Sequence, residues 1–245
     1  MLAIQNFQQR LYARYKNSLS IPLTYNYIYG NPVQPVVPVE TARHSICIIG
    51  AYPPARLARI GPEPDVPVAD PSLPFSSEPY FDGSRVQAST AGAELAEAYL
   101  IPLGLHRERC WLTYLVKIFL FQDEHLAKYQ RLSCIWPERE IRSQFGFLAR
   151  QSLEWLEEEL ALARPRLVVT LGAEVAGALQ RVPGFATGQS LLGGQIQDLW
   201  LGETVYPALH LAAPDLVLHP GSEAHRLHWQ VHLLAAREVV GRLVG

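Results

Sequence analysis

The sequence predicts an α/β fold, a three-layer α/β/α arrangement on a short, mainly parallel four-stranded sheet. Two observations lead there. Short apolar runs without polar alternation, each bounded by turn residues, recur along the chain, as strands buried on both faces require. Segments of helical period lie between or beside them, so successive strands are joined through helical crossovers. The whole chain, residues 1–245, is expected to form one domain.

In chain order, a helix is expected from Asn6 to Asn17. The stretch from Ile21 to Gly83 concentrates glycine and proline and is expected to be ordered but loop-rich. Within it the run HSICIIG, His44 to Gly50, supplies the first strand. A helix from Ala91 to Ile101 and the strand Trp111 to Ile118 come next. From Ser143 to Ala163 a long helix sets Phe147, Leu148, Leu153, Leu156 and Leu160 near one face. Its glutamates, Glu154 and Glu157 to Glu159, form a solvated opposite face. Pro165 stops that helix. The strand Arg166 to Gly172, the helix Glu174 to Arg181, the strand Thr204 to Leu211 and a helix from Ser222 to Leu243 complete the series.

Composition narrows the function. Hydrophobic residues make up 49% and charged residues 18%, enough for a packed core and too few charges for a disordered chain. With 21 Lys and Arg against 23 Asp and Glu the formal charge is −2, which excludes a polybasic coat and makes any nucleic-acid contact local. A polar amino-terminal stretch and the lack of an 18-residue apolar run lead us to expect no membrane partner and a cytoplasmic location. Cys47, Cys110 and Cys134, far apart and odd in number, suit reduced thiols and fall short of a four-thiolate cluster. His225, His228 and His232 share a helix face without a companion ligand. Neither a metal nor a cofactor is expected.

Ligands of open parallel sheets bind beyond the carboxyl ends of the strands. Those exits are Gly50 to Ala55, Thr113 to Lys117, Gly172 to Glu174, and His210 to Pro214. There the sequence resembles the uracil-DNA glycosylase superfamily. The resemblance is an ordered set: IIGAYPPA for a G-x-x-P turn, LPFSSEPYFDG followed by STAGAEL, LTYLVK, RPRLVVTLGAEVAGAL, and YPALH. It spans roughly residues 40 to 243.

The resemblance implies a monomeric, metal-free DNA glycosylase acting on single- or double-stranded DNA. Such an enzyme flips a base into a pocket at the strand exits, and water then attacks C1′. Of the family's catalytic positions, Tyr52 stands where an Asp or Asn usually positions the water, and a phenol is a weak general base at neutral pH. Two histidines qualify as the imidazole that steadies the departing base: His210, which fits the strand-end register, and His219, which with Pro220 reproduces the H-P dipeptide. Base-binding positions are Ala51 and Pro53 in the first turn, Phe75 and Phe81 as stacking platforms, and Tyr114, which replaces the Asn that reads the base edge. DNA contacts are expected from Arg56, Arg59, Lys117 and Arg226, with Leu211 or Leu216 as a minor-groove wedge. Because both tyrosines stand at positions the chemistry uses, a non-catalytic nucleic-acid or protein binding module on the same fold is the alternative. A hydrolase of free nucleosides is a third.

Overall fold

In a computed structural model, described for residues 2–132, 140–182 and 185–244, five strands form the central sheet, one more than the sequence predicts. A long helix α1 (Leu2–Ser18) comes first, followed by β1 (Ile46–Gly50). The proline-rich region then forms two small hairpins, β2 (Arg56–Ile60) with β3 (Glu63–Ala69), and β4 (Pro79–Phe81) with β5 (Val86–Ala88). Helix α2 (Ala91–Leu95) runs into a π-turn and leads to β6 (Cys110–Tyr114). Beyond it lie α3 (Asp123–Arg131), α4 (Phe145–Gln151), α5 (Leu153–Ala163), β7 (Leu167–Leu171), α6 (Ala173–Leu179) and α7 (Phe185–Ser190). The chain closes with β8 (Gln197–Leu201), β9 (Thr204–Leu211), α8 (Pro214–Leu218), α9 (Glu223–Leu227) and α10 (Leu233–Val244).

The sheet order is β6-β1-β7-β9-β8, parallel except for β8, which pairs antiparallel with β9 at one edge. In β1, β6 and β7 every residue is buried, which accounts for their unbroken apolar sequences. On one face Cys47, Ile49, Val168 and Ala208 pack with Phe7 and Leu11 of α1, Leu156 and Leu160 of α5 and Val175 of α6. On the other face Ile46, Ile48, Leu112, Val169 and Leu209 pack with Leu95 of α2, Val217 of α8 and Leu233 and Val239 of α10. These two cores and the sheet between them make the three layers.

The long helix of residues 143–163 is interrupted. The Ser152 hydroxyl donates back to the Leu148 carbonyl at 2.8 Å, a local bond that competes with the helical ladder, and the chain restarts as α5. At its end Arg164 turns left-handed, with φ 47°, ahead of Pro165. Cys47 and Cys110 are buried free thiols, whereas Cys134 lies outside the described residues. No helix among the described residues is long and apolar enough to cross a membrane.

Candidate active site

The four strand exits converge on one cavity of about 470 Å3. Gly50, Ala51 and Tyr52 reach it from β1, Tyr114 from β6, Leu171 to Glu174 from β7, and Ala212 to Leu216 from β9. Two glycines make this edge possible. Gly172 caps α6 at φ 104°, a backbone state that side chains rarely adopt, so the chain can turn from β7 directly into the helix. At Gly50 a Cβ would lie 2.8 Å from both the Phe75 and Tyr114 rings. Only a hydrogen there lets those rings come together beneath the first exit.

Phe75 and Tyr114 form the aromatic floor, with ring centroids 4.7 Å apart and planes 32° from parallel. Phe75 is held in the left-handed region at φ 50°, and its backbone N–H donates to the Tyr114 hydroxyl at 3.0 Å. Burial pushes the Tyr114 phenol well above its ordinary pKa, so it stays neutral. On the wall, the Arg142 guanidinium sits 4.9 Å from the centre of the Tyr52 ring and pairs with Glu174. Glu94 and Asp215 also line the cavity, and among the described residues neither side chain makes an ion pair or hydrogen bond. Leu171, Leu192, Ala212 and Pro214 leave much of the remaining wall apolar.

Neither histidine reaches this cavity. His210 is fully buried and shares a sheet face with Thr170, its register partner on β7, while Leu209 and Leu211 take the other face. The Gln180 amide donates to Nε2 at 3.0 Å and also to the Asp198 carbonyl at 3.1 Å. Nδ1 is left to donate to the Thr170 hydroxyl at 2.7 Å. Burial lowers the His210 pKa to about 4. With both nitrogens engaged by Thr170 and Gln180, the ring lies in the interior and not at the cavity, which corrects its expected place at the strand exit. His219 is exposed where α8 ends and also lies off the cavity.

Other expected positions separate in the same way. Ala51, Tyr52, Phe75, Tyr114 and Leu216 line the cavity, whereas Pro53 is buried beside it and Pro54 takes the lining place. Phe81 is 66% exposed on the β4–β5 hairpin and contributes nothing to the cavity. Leu211 is 1% exposed within the core and cannot act as a wedge. Lys117 is wholly buried: its ammonium pairs with Glu159 at 2.6 Å and donates to the Thr113 hydroxyl at 2.6 Å and the Tyr114 carbonyl at 2.8 Å. It cannot touch a phosphate. Arg56 pairs with Glu78 at 3.0 Å, Arg226 lies 3.8 Å from Glu223, and Arg59 lies in the β2–β3 region away from the cavity. His225 bonds the Val217 carbonyl at 2.7 Å and His228 the Ala98 carbonyl at 3.1 Å. The described residues hold no group of three or more His, Cys, Asp or Glu placed to bind a metal.

Sequence reasoning missed Glu94, Arg142 and Asp215. Asp215 carries a usable signal, since it directly follows a proline that opens a helix just beyond a strand exit. Nothing in the local pattern marks Glu94 or Arg142.

Taken together, layer order, sheet polarity and cavity position define an α/β/α protein with a cavity at the carboxyl edge of its sheet. The family model described as the Uracil DNA glycosylase superfamily matches residues 44–234, and the chain belongs to that superfamily. No curated protein matches the chain.

Proposed function

We propose that the protein extrudes a damaged base from DNA into the 470 Å3 cavity and hydrolyses its N-glycosidic bond. Glu94 and Asp215 take over the alignment of water that the first turn, with Ala51 and Tyr52, does not supply. The C1′–N bond breaks with its electron pair leaving on the base. Water adds at C1′ and gives its proton to a carboxylate. Among the described residues Arg142 is the one cation lining the cavity; paired with Glu174, it serves as a hydrogen-bond donor toward the departing base and not as a net charge.

The observation that carries this reading is a pair of carboxylates without partners in an otherwise largely apolar cavity, at the edge where parallel sheets bind ligands. Single-turnover incubation with single- and double-stranded oligonucleotides carrying uracil, hypoxanthine, xanthine or hydroxymethyluracil tests it. At least one should yield abasic product, with the rate falling about 100-fold or more in Glu94→Gln or Asp215→Asn. No product from any of them at enzyme excess removes the enzymatic reading.

A second reading, a binding module that keeps the fold without chemistry, is favoured by the position of both imidazoles outside the cavity. It predicts oligonucleotide affinity with no abasic product.

A further inference from the structure

We propose that the groove between α4 and α6 is a track for the phosphate backbone of the DNA strand that enters the cavity; this rests on the reading of the cavity as a base site. The groove measures about 830 Å3 and opens beside the cavity, with Arg142, Ala173 and Glu174 common to both. Arg142, Arg150 and Arg181 border it. Among the described residues Arg150 and Arg181 have no ion pair and no side-chain hydrogen bond, although both are exposed. Glu174 is the acid on this lining, and Arg142 already neutralises it. The groove therefore keeps two positive charges in a chain whose formal charge is −2. By contrast Arg56, Arg107 and Arg131 each lie against a carboxylate.

Spacing and floor fit an extended anion. Arg142 opens a 3-10 turn just ahead of α4 and Arg150 lies near the end of α4, an axial separation of about 13 Å. One strand of duplex DNA carries a phosphate about every 3.4 Å along the axis, so this length spans three or four of them. Gly146, exposed at the start of α4, also lines the groove, and a Cβ there would meet nothing within 4 Å. No neighbour here requires a glycine. What its bare backbone leaves is room. A nucleic-acid strand is favoured over an acidic peptide because the track leads into the cavity.

The test is anisotropy titration of a fluorescein-labelled, lesion-bearing duplex across a salt series, using the full chain, Arg150→Gln/Arg181→Gln and Gly146→Leu. In the double variant the slope of log K against log salt should shrink by about 2, with affinity reduced at least tenfold at low salt. Gly146→Leu should weaken binding by obstruction while leaving the thermal midpoint unchanged or higher, which separates blockage from misfolding. An unchanged slope and affinity in the double variant, with the parent binding normally, overturns the track alone. Failure of the parent to bind any oligonucleotide overturns the base-site reading as well. Displacement by polyglutamate as effective as by unlabelled DNA makes the groove an acidic-peptide site and overturns the track.

Discussion

In the interior against the sheet, Lys117 and Glu159 sit 2.6 Å apart with the Trp111 indole N–H donating to the same carboxylate at 2.6 Å, and His210 is held between Thr170 and Gln180. At the carboxyl edge Glu94 and Asp215 face a cavity, without partners among the described residues. The interior groups are committed to one another, and Glu159 Oε2, which has no hydrogen-bond partner, is held by its ion pair with Lys117 away from any opening. Glu94 is half-buried and Asp215 exposed, and among the described residues neither gains an internal contact, which leaves both free for a partner from outside. Residue type alone does not distinguish the two regions, because lysine and histidine serve structure here while the carboxylates are left open.

The contrast breaks most visibly at Lys117. Lys117→Met should lower unfolding stability by about 3–5 kcal/mol, because Glu159 is left buried and uncompensated. Urea denaturation with an unchanged m-value would measure it, and a loss under about 1 kcal/mol would show that the pair is not the interior anchor.

Acidification comes next. Burial holds His210 and His228 at pKa values of about 4, against 6.5 when unfolded. Their contribution is complete above pH 6.5 and is lost as pH falls toward 4, by up to about 3 kcal/mol each. Asp70 works in the opposite sense. Burial raises it to about 6 from 3.8, so it favours the fold below pH 3.8 and loses that contribution as pH rises through 6. Thermal midpoints between pH 7 and 4.5 should therefore fall, less steeply in His210→Gln and more steeply in Asp70→Asn. Excision per folded molecule should survive His210→Gln; its abolition would return the imidazole to the chemistry.

At the edge, Gly50→Ala should cost about 1–3 kcal/mol by forcing apart the Phe75 and Tyr114 rings. It should also weaken oligonucleotide binding, and a variant with parental stability would mean the floor is not packed as described. The smallest effect belongs to Phe81→Ser, whose exposed ring lies off the cavity. Stability should change by less than about 0.5 kcal/mol and affinity not at all.

Much of the architecture was legible because burial on both faces writes itself as apolar runs. All four predicted strands are present, with ends shifted by up to four residues. The fifth, β8, escaped because an edge strand keeps one face in solvent. Exposed Asp198 and Trp200 alternate with buried Leu199 and Leu201, a pattern too short to stand out. The hairpins β2–β3 and β4–β5 were hidden by proline content that is compatible with short ribbons. At the site, the strand-exit rule located the cavity but could not say which side chains face it. His210 and Leu211 are neighbours in sequence on opposite sheet faces and neither lines the cavity, which β9 reaches only from Ala212 onward.

Whether the cavity receives an extruded base is best measured by the fluorescence of 2-aminopurine placed beside the lesion in a duplex. Unstacking on binding to the parent should raise the signal. Ala213→Trp, which fills the cavity from its β9 side, should retain binding to the duplex but produce no rise. An equal rise in both proteins, or none in the parent under saturating conditions, would contradict the account.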